Sequence, residues 1–523
     1  MKEEALMKRN ILPGLILGVL SPLSAPAVCA EAPKPGGVLV MGIARDINAM
    51  NPLVGTRSTE EHIRNLMFES LLSADLNGKI QPNLAVSWNV SGDGRIYSFQ
   101  LREGVKFHNG KEMTAEDVKF SIDYTLNPRN GAYGYADLAL VERVETDGKH
   151  RLRIILKKRS VPFLASLTAI PTFSVVPKES LPEGVTRPTQ YPPGTGPFKF
   201  HEWQPKQRIV LRRHNEYWGQ KPYIDQLVLR PVGNDTARIN ALQARDVDMI
   251  ERVPYEWVQQ IQEGRLPGFS LVPSEAAAYR RLVFNVAAPP FNNKKLRLAV
   301  AHALNKKEVL QAAYLGFGKT VDQKYPPGHE WHLAGLPSPA YDLAKARALV
   351  KEAGYDGQPI KILVEQSGTR ETEELALQAQ LKKIGLNIQP QMTDRGAQTT
   401  LVLGGEFALV FRGGDFLPDP VATYATHFSC EADSKKRRTN FSGYCNKEVD
   451  SMLQQLATES DTSKRKSLLR AILTRLSEDV PELPIGFVPR FFALRSHVKG
   501  FSTDDNSSFR WSGGGLNYTW LDK

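Results

Sequence analysis

Apolar and polar positions along the chain switch repeatedly between a period of two and a period near 3.6. In RIYSFQLR (95 to 102), Tyr97, Phe99 and Leu101 fall on one face, which predicts a half-buried strand. Asn109-Gly110 after Phe107 predicts a tight hairpin turn. Thr114 opens TAED, a threonine with an acid three residues on. Val118, Ile122 and Leu126 follow at helical spacing, so a capped helix is expected there. HRLRIIL (150 to 156) alternates again. Residues 207 to 213 and 224 to 230 predict two more strands, joined by the turn-rich NEYWGQKPY.

The texture changes near residue 285. Asn293 to Leu304 predicts a helix, and Asn305 with Glu308 forms a second capping pair ahead of Val309, Leu310 and Ala313. Asp342 caps a helix that stops at Gly354. Glu371 to Ile384 predicts a helix ending at Gly385, with a strand from Leu386 to Met392. Residues 446 to 479 predict two helices with a break near Asp461. A sheet-rich half is thus followed by an α/β unit richer in helices. No Ser/Gly linker separates them, which predicts a long shared interface.

The start of the chain follows neither period. Lys8 and Arg9 precede the apolar run Ile11 to Leu20, and small residues and prolines lead to Val28-Cys29-Ala30. A charged stretch, a short apolar stretch and a small-residue cleavage site make residues 1–30 a secretory signal peptide. The run is shorter than the roughly 20 apolar residues a bilayer needs. Glu3 and Glu4 are unusual in such a leader, so Met7 is an alternative start to Met1. Val28 stands where a lipoprotein leader wants a small residue, so no lipid is expected on Cys29. Export leaves Cys430 and Cys445, 15 positions apart. In an oxidising compartment that pair reads as one disulfide; the alternative is two free thiols.

Composition narrows the function. With 523 residues and 41% hydrophobic content the chain is not disordered, and at about 150 residues per domain it holds about three units. The net charge of +11 arises from 67 basic against 56 acidic residues, a mixed surface. The only dense basic run is Lys435-Lys436-Arg437-Arg438, so no nucleic-acid partner is expected. There is no GxSxG elbow and no HExxH helix. Gly318-Lys319-Thr320 lacks the phosphate-loop glycine, with Ala313 in its place. His329, Glu330 and His332 have no known ligand spacing, and Pro326-Pro327-Gly328 beside them predicts a solvated surface loop. No metal and no cofactor are expected, and a binder is favoured over an enzyme.

Several segments, in order, resemble the family 5 extracellular solute-binding proteins, which serve ABC importers of dipeptides, oligopeptides, nickel and related solutes. They are FESLLSADLNGKIQPNLAVSW (68 to 88), YSFQLREGVKFHNGKEMTAEDVKFS (97 to 121), GTGPFKFHEW (194 to 203), VLRRHNEYW (210 to 218), FNVAAPPFNNKKLRLAVAHALNKKEVL (284 to 310), AKARALVKEAGY (344 to 355) and FSGYCNKEVDSML (441 to 453). The resemblance implies an α/β, two-lobed, hinge-closing periplasmic binding protein fold with an extra inserted subdomain. The discontinuous first lobe would take 31–63, 181–283 and 491–523, the insertion 64–180, and the second lobe 284–490. It further implies a monomeric receptor that closes on a peptide or peptide-like solute and presents it to ABC permease subunits at the inner membrane.

The same resemblance nominates site residues. FRGGDFLPDP (411 to 420) matches the loop whose aspartate receives a peptide's α-ammonium, which places Asp415 at that anchor. Beside Gly413-Gly414, Asp415 also reads as an ordinary turn residue. Where the family usually carries a tryptophan three residues before the acid, this chain has Arg412. An arginine there suits a carboxylate or phosphate of the ligand, or pairs with Asp415. That departure keeps an anionic non-peptide solute open: an opine, sugar, sugar phosphate or metallophore. Glu60, Tyr133 and Tyr135 fall near positions that contribute from the opposite side. Each also has a plain reading, Glu60 as an exposed helix start and the tyrosines as packing. A secreted hydrolase that reuses the fold is a third reading, with no motif behind it.

Overall fold

The computed structural model describes residues 32–47, 51–54, 63–75, 77–168, 173–184, 191–366, 368–414, 417–430, 440–503 and 515–522. The proposed signal peptide lies outside these residues. Among them, no helix is long and apolar enough to cross a membrane.

The alternating segments become strands where expected. Ile96–Leu101 buries Tyr97, Phe99 and Leu101 on one face. It joins Ala85–Val90, Arg151–Leu156 and Val141–Asp147 in a four-stranded antiparallel sheet. Helix Ala115–Leu126 begins at Thr114, whose N–H and hydroxyl both reach the Asp117 carboxylate at 2.8 Å, a capping box that satisfies amides the first turn leaves open. Val118 and Ile122 of this helix share a core with Phe99 and Ile154, so sheet and helix close on each other.

An eleven-stranded mixed sheet organises the rest. Its order is Ile388–Thr393, Ile360–Glu365, Leu409–Gly414, Phe269–Phe284, Glu482–Arg495, Met249–Ile250, Val38–Ile43, Gln226–Pro231, Arg208–Arg213, Phe198–Gln204, with Lys319–Thr320 paired to Glu482–Arg495 beside this path. Two large cores lie along it. One gathers Leu39, Met41, Leu227, Leu229 and Met249 with Phe492 and Leu494. The other gathers Leu282, Phe284, Val300, Ile362 and Leu409 with Ile485 and Val488. Both draw on the same two long antiparallel strands, Phe269–Phe284 and Glu482–Arg495. Their register shifts between Ser274, opposite Arg490, and Ala278, opposite Val488, so three residues face Pro489 alone. Such a bulge bends a strand, and proline cannot donate a ladder bond there. The chain thereby passes from one core to the other through two bent strands.

Most predicted helices appear within a few residues of expectation. Lys447–Thr458 and Thr462–Asp479 are separated at Asp461, which caps the second by accepting from the Lys464 amide at 2.8 Å. The helix expected from Glu371 begins earlier and runs Gly368–Lys382.

The loop with His329, Glu330 and His332 corrects the sequence reading. It is not a solvated loop: His329, Trp331 and Leu333 are 6%, 5% and 6% exposed. The His329 ring stacks on Tyr325 at 4.3 Å, and the Arg465 guanidinium lies 4.8 Å from the Trp331 ring centre. The prolines marked a turn correctly, but the turn packs its aromatic residues into the core around Tyr424 and Leu469.

Cys430 and Cys445 form a disulfide. In the chain-entropy account a loop of this length contributes about 3 kcal/mol by restricting the unfolded chain. The double variant C430A/C445A is therefore expected to lose about that much in urea unfolding. An unchanged midpoint would mean the covalent loop constrains little in the unfolded ensemble.

Candidate functional site

Parallel strands direct their carboxyl ends the same way, and in open α/β sheets such ends are where ligands are held. Val38–Ile43 runs parallel to Gln226–Pro231 on one side and to Met249–Ile250 on the other. Just past these ends lie Arg45, Glu251 and Arg252. The Ala44 amide donates to Glu251 Oε1 at 2.7 Å and fixes that corner. In the other half, Ile360–Glu365 runs parallel to Ile388–Thr393 and Leu409–Gly414. Glu365 ends its strand, and Arg412 stands three residues into the neighbouring one.

Between these ends sits a dense group of buried charges. Arg280, 3% exposed, places its Nε 3.1 Å from Glu373 Oε1, and its Nη2 bonds Glu373 Oε2, with Glu373 fully buried. Arg281 Nε is 3.0 Å from Glu482 Oε2, off the donor direction, so charge rather than an aligned hydrogen bond holds that pair. Lys324 Nζ is 3.5 Å from the other oxygen of Glu482. Arg370 Nη1 is 3.0 Å from Glu365 Oε2. Burial, reinforced by Glu373, pushes the Glu374 carboxyl up to about 9, so it is neutral at pH 7. Burial pulls Lys324 down to about 7 against the pull of Glu482.

Arg412 differs from its neighbours. It donates to Gln398 Oε1 at 3.2 Å and lies 5.0 Å from the Phe441 ring centre. Burial, then Arg281 and Arg370, lower its pKa to about 10, with Glu365 opposing. On the facing side burial, then Arg252, lower that of Arg45, and Glu365 and Arg370 act on it too. Gly413 and Gly414 continue the strand beside Tyr279 and Arg280, and a Cβ on Gly414 would collide with the Arg281 guanidinium. Gly414 makes room for a buried arginine.

The remaining nominated residues are placed as follows. Asp415 follows directly on this strand and Glu60 follows the first one; both lie outside the described residues. Tyr133 is half-buried, and its N–H donates to Leu53 O at 2.8 Å, tying its turn to the loop after the first strand. Tyr135 begins the short helix Tyr135–Leu138 and is 44% exposed. Sequence reading missed Arg45, Arg280, Arg281, Glu373 and Glu482. The available signal was Arg280-Arg281, two adjacent charges inside the otherwise apolar stretch AAAYRRLVF. A cavity of about 50 Å³ beside Lys324 is lined by Tyr279, Tyr424 and Glu482 and has room for water.

The profile of the bacterial extracellular solute-binding proteins, family 5 (middle region), matches residues 79–435. The chain belongs to this family. Among family 5 relatives, the dipeptide-binding protein of Escherichia coli K12 is 29% identical over 82% of this chain and 84% of its own length. The glutathione-binding protein GsiB of the same organism is 25% identical over 93% and 95%. A solved structure of the periplasmic binding protein DppA from Helicobacter pylori, in complex with the peptide STSA, superposes with a TM-score of 0.81. It is 26% identical and covers 94% of this chain and 99% of its own. The fold shared with this neighbour is two-lobed, and in this chain the paired long strands join two separate cores.

Proposed function

We propose that this family 5 member is a receptor that captures a peptide or peptide-like solute between its lobes and hands it to an ABC permease. The observation that carries the reading is the convergence of strand ends from both lobes on one charged, partly desolvated cleft. The names of the relatives favour a peptide, since one is a dipeptide-binding protein and the Helicobacter pylori structure is a complex with a peptide. The proposal includes export by cleavage after Ala30, a periplasmic location without a lipid, a monomer, and binding without turnover. The division into 31–63 with 181–283 and 491–523, 64–180, and 284–490 is part of it. It is supported by the separate cores around Met41, Phe99 and Ile362.

Closure follows from differential affinity: the solute shifts the lobes only as far as it binds the closed form better. The test is thermal unfolding of the mature protein with mixed di- to pentapeptides, joined to native mass spectrometry for a retained solute. A bound peptide raises the midpoint by mass action. If no peptide shifts it or copurifies, the peptide reading fails. Asp415→Asn is expected to weaken a bound peptide by at least about tenfold, because the α-ammonium is then buried without its carboxylate. Unchanged affinity by calorimetry would remove Asp415 from the site. The second reading, an anionic non-peptide solute, is favoured by the cationic surroundings of Arg412.

A further inference from the structure

The cavity of about 50 Å³ beside Lys324 borders the aromatic core around Tyr424 and Leu469. Its walls come from strands Phe269–Phe284 and Glu482–Arg495, helices Pro420–Phe428 and Thr462–Asp479, and the loops 322–324 and 337–339. Among the described residues, none from the core around Met41 lines it. Donors gather here without acceptors. Lys324 and Tyr279 line the cavity, each 1% exposed, and among the described residues neither Lys324 Nζ nor the Tyr279 hydroxyl has a hydrogen-bond partner. Nζ stands 3.5 Å from Glu482 Oε1, and 5.2 and 5.1 Å from the ring centres of Tyr424 and Phe428, which are cavity walls as well. Behind Glu482, Arg281 Nε and Nη1 also lack a hydrogen-bond partner among the described residues. The charges do not cancel either. Two cations, Lys324 and Arg281, share the one carboxylate of Glu482. Asp322 cannot supply the second, because Lys306 Nζ lies 2.7 Å from it. Burial, then Lys324 and Arg281, hold His427 far below its ordinary value, so it is neutral. Helix Thr462–Asp479 turns no charged residue to the cavity. Arg412, opposite Arg281 across the sheet, adds positive charge and not negative.

We propose that this cavity is a binding site for one small monovalent anion, a halide or a carboxylate of one or two carbons, which accepts from Lys324 Nζ and the Tyr279 hydroxyl. Water satisfies such donors but brings no charge, and a buried cation without a counter-ion is costly. A hydrogen bond from an ammonium to an anion is among the strong ones. Size and charge set the class. A single water needs about 10–15 Å³ of such space, so the cavity holds a halide or a few heavy atoms. A doubly charged phosphate would bury one negative charge too many. Occupancy also takes up a proton. Burial leaves the ligand-free Lys324 at about 7, and an anion beside it favours the ammonium. Affinity is therefore highest below pH 7 and falls as pH rises above it.

The experiment has two arms, both on the mature protein without peptide. Crystals grown in sodium bromide at pH 6 are expected to show a bromide peak, by its anomalous scattering, in the cavity within hydrogen-bond reach of Lys324 Nζ. Thermal midpoints are then measured in chloride, formate or acetate, with gluconate, too large to enter, holding the ionic strength. Chloride is expected to raise the midpoint at pH 6 by mass action. The concentration at which the rise begins should be at least about tenfold higher in K324M, and in wild type at pH 9, and about threefold higher in Y279F. A rise with formate or acetate but not with chloride keeps the site and assigns it to a carboxylate, with density for that carboxylate in place of bromide. Water alone in the cavity, with equal midpoints in all four anions, overturns the proposal. So does a rise that K324M leaves unchanged, which places the anion elsewhere. The crystallographic arm needs no variant, so it decides even where K324M does not fold. No peptide enters either arm, so failure here leaves the receptor reading standing.

Discussion

Glu373→Gln is expected to lower the free energy of unfolding by about 3–5 kcal/mol, the cost of leaving a buried cation without its partner. Arg280 lies in the middle of the long strand Phe269–Phe284, and Glu373 lies on helix Gly368–Lys382; neither can reach water, at 3% and 0% exposure. Two parallel bonds join them, one from Nε and one from Nη2. The guanidinium cannot escape by deprotonation, because Glu373 holds it above its ordinary value despite the burial that opposes its charge. Glutamine keeps the shape of the side chain but removes the charge and turns one acceptor into a donor facing a donor. Urea unfolding with an unchanged slope measures the loss. The double variant R280M/E373M is expected to recover most of it, since an apolar pair of similar volume needs no compensation. A loss under about 1 kcal/mol in the single variant would mean that water reaches the pair.

Local patterns carried the reading of individual elements far and the reading of the site only part of the way. Tyr97, Phe99 and Leu101 alternate because their strand has one face on a core and one toward solvent, and Thr114 with Asp117 marks a helix start because four amides there need acceptors. Both signals lie within a few residues of their effect. The buried ion pairs do not: Arg280 and Glu373 are 93 positions apart, and nothing near either names the other. Arg45 stands just past the end of a strand, where a charged residue is ordinary, and only the fold brings it toward Glu365 and Arg370. Gly413-Gly414 read as a turn beside Asp415, yet both are still in the strand, and Gly414 is held small by the Arg281 guanidinium. The HEWH loop was misread for a related reason. Prolines report the backbone path, while Trp331 and Leu333 decide which way the turn faces. Arg412 was legible only as a departure from the family loop. Its meaning depends on Arg281, its direct neighbour across the sheet, and on Arg370.

Glu482→Gln is expected to cost a similar amount, about 3–5 kcal/mol, but with a dependence on pH that Glu373→Gln lacks. Glu482 serves two buried cations, Arg281 at 3.0 Å and Lys324 at 3.5 Å. Burial lowers Lys324 from an ordinary 10.5 to about 7. In the unfolded chain Lys324 stays protonated up to about 10.5, whereas in the folded chain it releases its proton near 7. Its contribution to stability is therefore complete above 10.5 and is lost as pH falls through 7. Wild type should gain stability relative to K324M as pH rises from 7 toward 10.5. In Glu482→Gln the carboxylate no longer opposes burial, Lys324 releases its proton at still lower pH, and the rise begins earlier. The part of the loss that remains at pH 9 belongs to Arg281, so R281M should restore stability in the Glu482→Gln background there and K324M should not. Unfolding free energies from pH 6 to 10 for wild type, K324M and Glu482→Gln decide this. Parallel curves for wild type and K324M would show that Lys324 does not titrate in the folded protein over this window. Glu482 would then neutralise both cations at once, and Glu482→Gln would be the more damaging of the two carboxylate replacements, because Lys324 would keep its proton and leave a second buried charge unpaired.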